Sequence, residues 1–487
     1  MTGAFALSAT TLNRVSIDKP DYDRSTLRTG IVHLGVGGFH RAHMARYTHD
    51  LLQVEKDTAA WAIAGVGLTS FDQPLCAALQ RQDHLYTLIE RDADIACANV
   101  IGAITASAHV MDSVETALHR IDDAKIVSLT VTENGYCLNA ATKRLDLAHE
   151  GIARDLAAPQ SPQTAIGLIV EGLRRRRAAG DPAFTALSCD NIQHNGDVLR
   201  QAALDFATAR DAALAHWIAE HGRFPNTMVD RITPRTSQAE LDDVAARYGI
   251  ADACPVYCES FRQWIIEDNF ADGRPAWEKV GVQFVDDVTP YELMKLRLLN
   301  TSHLAISGLG RLAGYRFVDE AMADARFPAF MSALMERETG RTLAPAPGID
   351  LAAYKRTLIA RFANPNIKDT LDRINTDAPV NYLVDPLRDL LATGGPIELL
   401  ALALAAWIKR VRGFDDAGAP LEVRHPLAAE LKRRADEGGP DPLPVLSIDA
   451  LFGDVGRNPA LIAATRRWLA SLYDKGALAS LDAVLRG

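Results

Sequence analysis

The chain has 487 residues, 48% hydrophobic and 23% charged, with a formal net charge of −10. That length exceeds one ordinary core and implies at least two domains of a globular protein. The acidic balance argues against a nucleic-acid partner, and no apolar run reaches the roughly 18 residues of a membrane span.

The N-terminal stretch MTGAFALSATTLNRVSIDKP lacks the charged-then-apolar pattern of a leader, so a cytoplasmic location is expected. The first clear strand is Gly30–Val36, GIVHLGV, and Phe39–Val54 follows with helical spacing. Between them, Gly35, Gly37 and Gly38 precede Phe39, His40 and Arg41 in the pattern GxGGFHR. Glycines at a strand-to-helix turn let the backbone approach a pyrophosphate, and a helix N-terminus favours its charge. The pattern is not the standard GxGxxG, and a plain tight turn would also use it. Trp61–Leu68 is the next strand, with Asp72 close behind it in TSFDQP. An acid there suits the ribose hydroxyls of an adenosine and repels a 2′-phosphate. With no Arg between Val66 and Leu79, NAD is favoured over NADP. The alternative for Asp72 is a helix cap before Pro74.

Ala98–Ile104, Lys125–Val131 and Ala183–Cys189 read as further strands, and a helix begins near Gly196. The basic run Arg174–Arg177 ends a helical pattern, where cations complement the helix dipole. Such alternation implies a parallel sheet with helices on both faces. The six cysteines all lie before residue 260 without a CxxC pair, so reduced thiols rather than zinc are expected. The character changes around Val282–Val288. Beyond it come helical patterns at Tyr291–Gly308, Glu320–Glu338, Leu351–Phe362, Pro386–Leu391, Ile397–Arg410, His425–Asp436 and Pro459–Tyr473. The expected organisation is an α/β nucleotide-binding domain over residues 1–285 and a mostly α-helical domain over 286–487.

Within the second domain, YELMKLRLLNTSH (Tyr291–His303) holds Glu292, Lys295, Asn300 and His303. At about 100° per residue, and with Lys295 at zero, these fall near 60°, 0°, 140° and 80°, on one side of a helix. A lysine among an acid, an amide and an imidazole suits a general base in a hydrogen-bonding pocket. A solvated helix face is the alternative.

Six segments together resemble the polyol-specific long-chain dehydrogenases, the mannitol dehydrogenase family. They are GVGGFHRAH (Gly35–His43), TENGY (Thr132–Tyr136), SCDN (Ser188–Asn191) with Asn195-Gly196, FPNTMVDRITP (Phe224–Pro234), Trp277–His303 and GYRFVDE (Gly314–Glu320). The resemblance implies a Rossmann-like NAD domain, a helical second domain and substrate in the cleft between them. It implies metal-independent chemistry on a single chain that acts as a monomer, interconverting a sugar alcohol and a ketose, D-mannitol and D-fructose first. Lys295 matches the family's catalytic base, Asn191 and Asn300 its oxyanion donors, and His303 and Asp230 its substrate contacts. Glu292 and Glu133 match acids suited to proton relay, and Arg373 an arginine at the substrate's far end. The family follows that arginine with Asp-Gly-Ser-x-Lys, whereas RINTDAPVNY (Arg373–Tyr382) keeps Asp377 but has Ala378, Pro379 and Asn381. A neutral amide in place of a cation argues against an acidic substrate such as fructuronate or mannonate. It leaves D-arabinitol and sorbitol beside mannitol.

Overall fold

The apolar run after Gly30 forms strand β1 (Thr29–Leu34), buried from Gly30 onward, in the middle of a five-stranded sheet. The structure is a computed structural model that describes residues 4–93, 96–139 and 142–486. It divides into two compact units, Met1–Thr289 and Pro290–Gly487. The division falls four residues after the boundary expected from sequence, at a proline that opens a helix.

In the first unit, the main sheet contains β1, β2 (Ala62–Gly67), β5 (Ile104–His109), β6 (Ile126–Leu129) and β7 (Thr185–Ser188). Their order is β5-β2-β1-β6-β7 and every pairing is parallel. Side chains alternate along each strand, so Val32 and Leu34 face one core and Ile31 the other. Helices α4 (Val114–Asp122), α5 (Ala165–Ala179) and α6 (Asn195–Arg210) pack into the first core. The second core takes α1 (Gly38–Ala42), α2 (Met44–Val54) and α3 (Gln73–Arg81). The order reverses between β2 and β6 around β1, which puts the glycine turn at the switch point where open α/β sheets bind ligands. The arginines of the 174–177 run sit near the end of α5, where Arg174 and Arg175 join Arg210 around the buried carboxylate of Glu171.

Several expected elements differ. The single helix Phe39–Val54 is two, broken at His43 (φ −111°, ψ −90°), whose Nε2 is held 2.9 Å from the carbonyl of Gln263. The expected strand Ala98–Ile104 spans a turn between β4 (Ala96–Ile101) and β5. Strand β4 belongs to a second sheet, β9-β3-β4, with β3 (Tyr86–Arg91) and β9 (Val256–Glu259). A third sheet, β11-β10-β8, joins β8 (Thr227–Asp230), β10 (Gln263–Glu267) and β11 (Gln283–Val285). Both small sheets contain an antiparallel pair, where the sequence reading held only parallel strands.

The second unit is helical. Its centre is α12 (Glu398–Arg410), buried from Leu399 to Arg410, with Glu338 accepting the N–H groups of Leu399 and Leu400 at 2.8 Å. That carboxylate satisfies two orphan donors of a helix start that water does not reach. Helix α13 (Pro459–Arg486) packs along α12 and runs past Tyr473, with a non-helical residue at Gly476. The expected helix Glu320–Glu338 is two, Val318–Ala323 and Arg326–Arg337. No helix among the described residues is long and apolar enough to cross a membrane.

Candidate active site

In the first unit the glycine turn follows β1. Gly35 has φ +90°, and a Cβ there would lie 2.3 Å from the carbonyl oxygen of Thr130, so a side chain is excluded on both counts. A Cβ on Gly37 would meet nothing within 4 Å, and one on Gly38 only Thr233 at 3.8 Å. The outer face of the turn is therefore bare backbone with open space before it, which fits a pyrophosphate. Phe39 stacks on His43 with ring centroids 5.0 Å apart. Arg41 is buried. Its guanidinium donates to the carbonyls of Gly37 and Cys254 and lies 5.3 Å from the Tyr86 ring centroid, so its charge braces the turn from inside.

Asp72 stands just beyond the carboxyl end of β2. Its Oδ2 accepts from the backbone of Leu68 (3.0 Å) and Thr69 (2.9 Å) and from the Thr69 hydroxyl (3.0 Å). It closes the turn after the strand and makes no side-chain bond to the N–H groups of α3.

Asn191 and Asp230 are set by an interlock of two segments. Asn195 donates to the carbonyls of Asp190 and Thr227, both at 3.0 Å, and accepts the Thr227 N–H at 2.9 Å. Thr227 Oγ1 donates to the carbonyl of Ser188 at 2.7 Å. Gly196 allows the approach, because a Cβ there would meet the carbonyl oxygens of Phe224 and Pro225 at 2.4 and 2.5 Å. The loop after β7, which carries Asn191, is thereby fixed to β8, whose last residue is the buried Asp230. Arg231, next to Asp230, pairs with Glu90 and donates to the Glu259 carbonyl. Glu133, itself exposed, opens a 3-10 turn, Glu133–Tyr136, after β6 that ends on the buried Tyr136.

In the second unit, the stretch expected to be one α-helix is α7 (Thr289–Met294), a π-helical turn at Lys295–Asn300, and α8 (Thr301–Leu312). The Thr301 N–H bonds back five residues to the carbonyl of Leu296. Thr301 Oγ1 is also 3.0 Å from that carbonyl and 2.7 Å from that of Tyr382. This changes the geometry usefully. In an α-helix Lys295 and Asn300 would stand about 140° apart. In a π-turn residues five apart lie one above the other, and such turns concentrate at functional sites. Glu292, Lys295 and Asn300 are 5%, 7% and 7% exposed, which excludes a solvated helix face. Asn300 Nδ2 is buried without a hydrogen-bond partner among the described residues.

His303 stacks on Phe362 of α9 (Leu351–Phe362) at 4.4 Å, and its Nε2 is 3.8 Å from Asp369 Oδ2. The same carboxylate takes Arg373 of α10 (Leu371–Asp377), whose Nε donates at 2.7 Å. Arg373 is half exposed and joined to His303 through a buried acid. Asn381 begins α11 (Asn381–Thr393) and is exposed; the Asp377 side chain lies outside the described residues. Sequence reasoning missed Asp369 and also Asp190, the buried neighbour of Asn191. Only their adjacency to motif residues could have signalled them. No group of three or more His, Cys, Asp or Glu side chains among the described residues is arranged to hold a metal.

Comparison with known proteins accounts for both units. Residues 29–279 match the family profile described as the mannitol dehydrogenase Rossmann domain, and residues 287–473 the mannitol dehydrogenase C-terminal domain. Mannitol 2-dehydrogenase of Aspergillus fumigatus is 45% identical over 450 residues, covering 90% of this chain and 89% of that protein. Mannitol dehydrogenase 2 of Saccharomyces cerevisiae is 40% identical over 494 residues, covering 99% and 98%. The ternary complex of Pseudomonas fluorescens mannitol 2-dehydrogenase with NAD and D-mannitol superposes with a TM-score of 0.89 at 42% identity, covering 99% and 100% of the two chains. A substrate-free D-sorbitol dehydrogenase gives 0.90 at 35% identity, covering 98% and 100%.

Proposed function

The chain belongs to the mannitol dehydrogenase family, and on that premise we propose that it oxidises an open-chain polyol to a ketose with NAD, reversibly and without a metal. The observation that carries the reading is the buried row of Glu292, Lys295 and Asn300, with an amide donor that has no hydrogen-bond partner among the described residues. Bound at the glycine turn, NAD supplies the hydride acceptor. Gly35, Gly37, Gly38 and Phe39 form its cradle, Arg41 braces it, and Asp72 is the ribose contact.

Lys295 Nζ takes the hydroxyl proton while the carbinol C–H bond breaks with its electron pair and the carbonyl forms on the same carbon. Asn300 donates to the oxygen as its charge grows, the role the resemblance also gives Asn191. Glu292 and Glu133 relay the proton towards water. His303 and Asp230 hold neighbouring hydroxyls, and Arg373, through Asp369, supports His303 and the far end of the substrate.

D-Mannitol and D-fructose are the leading pair, and D-mannitol is what the Pseudomonas relative binds beside NAD. Asn381, where the family carries a lysine, supports a neutral polyol over a hexuronate and keeps D-arabinitol and sorbitol in the panel. The proposed working unit is a single chain in the cytoplasm.

The test is NADH absorbance with mannitol, sorbitol, arabinitol, fructose and fructuronate, on the wild type and Lys295→Ala. Loss of a general base is expected to lower kcat on the order of 10²- to 10⁴-fold while NADH binding is retained. Near-wild-type turnover by Lys295→Ala would remove the base assignment. Turnover of fructuronate alone would move the substrate to the uronates.

A further inference from the structure

Strands β6 and β7 are parallel neighbours, with Leu129 opposite Ser188. The chain leaves β6 into Thr130–Tyr136 and leaves β7 into Cys189–Asn191. Between the two exits lies the carboxylate of Asp190, 6% exposed. Its Oδ1 accepts the N–H groups of Val131 (3.0 Å) and Thr132 (2.8 Å), and its Oδ2 accepts the Tyr136 hydroxyl (3.0 Å). The Tyr136 oxygen is in turn 2.6 Å from Ser188 Oγ, at the end of β7. The Asp190 carbonyl is held by Asn195. Burial pushes the Asp190 carboxyl up, while the two amides and the phenol pull it back.

Thr132 shows what this carboxylate maintains. Its backbone sits at φ 60°, ψ 170°, a region used essentially by glycine. A β-branched residue there is strained and persists only where surrounding bonds over-determine it. The Thr132 side chain is exposed, so no packing gain explains the conformation. The bond from its N–H to Asp190 is the shortest of the constraints on that carboxylate. Immediately after Thr132 comes Glu133, and immediately after Asp190 comes Asn191.

We propose that Asp190 is a positioning residue that holds Thr132 in its strained conformation and thereby fixes the turn carrying Glu133 against the loop carrying Asn191. The inference rests on the reading of Asn191 as an oxyanion donor. Asp190 itself touches neither substrate nor cofactor in this role.

Three variants of the full-length enzyme test it beside Asn191→Ala. Asp190→Ala removes every acceptor and is expected to lower kcat on the order of 100-fold, the effect of a misplacement near 1 Å, with the NADH dissociation constant unchanged. Asp190→Asn keeps one oxygen for the two amides and lets Tyr136 donate to Ser188, so it should restore most of the turnover. Thr132→Gly adopts the observed backbone freely, so its melting temperature should be at or above wild type while kcat falls. It also stands in if Asp190→Ala fails to fold. In the Asn191→Ala background, Asp190→Ala should cost little more, because both act through one group.

A fully active Asn191→Ala would defeat the underlying reading. An impaired Asn191→Ala beside full turnover in Asp190→Ala and Thr132→Gly would defeat the positioning role alone. Losses that multiply in the double variant would make Asp190 a general support of the fold and likewise overturn it.

Discussion

Replacing Asn300 with alanine separates chemistry from stability. In the resting protein Asn300 Nδ2 is buried with no partner among the described residues. An unsatisfied buried donor costs about 1–3 kcal/mol. Asn300→Ala removes that penalty and leaves a cavity of a few heavy atoms, worth about 1 kcal/mol in the opposite direction. The two effects offset, so the change in unfolding free energy should stay within about 1 kcal/mol of zero.

Turnover should behave differently. When the substrate oxygen becomes an alkoxide, the same N–H gains a charged acceptor in a site with little water. Loss of such a donor costs about 3 kcal/mol, or roughly 150-fold in kcat. The assays are urea unfolding followed by tryptophan fluorescence and steady-state NADH formation on the same preparations. Turnover within about threefold of wild type would contradict the oxyanion role, since the donor would then be worth less than about 1 kcal/mol. A loss of several kcal/mol of stability would show instead that the amide has a structural partner.

The glycine turn offers a contrast between two positions. Gly35→Ala forces a Cβ into a carbonyl oxygen at positive φ, so it should lower the melting temperature and NADH affinity together. Gly37→Ala projects into open space and should melt like the wild type while binding NADH at least about tenfold more weakly, since the methyl stands where the pyrophosphate approaches. Equal NADH affinity in Gly37→Ala, by fluorescence titration, would place the cofactor elsewhere. Acid should weaken the first unit through its buried histidines. Burial holds His33, His43 and His49 down at about 3. A depressed folded-state value means the unfolded chain takes up protons first, so stability is intact above about 6.5 and falls as the pH drops towards 3. At pH 5 each histidine removes about 2 kcal/mol. Urea midpoints equal at pH 7.5 and pH 5 would refute this.

How much of this was legible in the sequence depends on how far apart the causes lie. Strand β1, the glycine turn and the ends of β2, β6 and β7 follow from local pattern, because an apolar run ending in glycine has few other uses. The break at His43 does not, since it depends on the carbonyl of Gln263, 220 positions away. The small sheets were missed for the same reason: which strand β4 pairs with is decided by β3 and not by its own alternation. Lys295 and its neighbours are recognisable as a set, but the spacing of a regular α-helix does not give their alignment in a π-turn. The π-turn is held partly by Tyr382, on another helix, and nothing in YELMKLRLLNTSH announces it. Asp190 and Asp369 look like ordinary acids until their partners are known.

The π-turn also makes the row of Glu292, Lys295 and Asn300 a matter of counting. Helices α7 and α8 both carry buried apolar side chains, Tyr291 and Met294 before the turn and Leu304, Ala305 and Ile306 after it. The turn holds one more residue than an α-helical turn would, and that surplus residue sets the phase between the two halves. Deleting a single residue between Leu296 and Leu299 would let the ladder close as a regular α-helix. Asn300 would then follow Lys295 by four residues, about 40° round the helix, whereas closing the ladder with every residue kept would leave the two about 140° apart. Redesign aimed at a smoother, more regular helix here would therefore act on the alignment of Lys295 with Asn300.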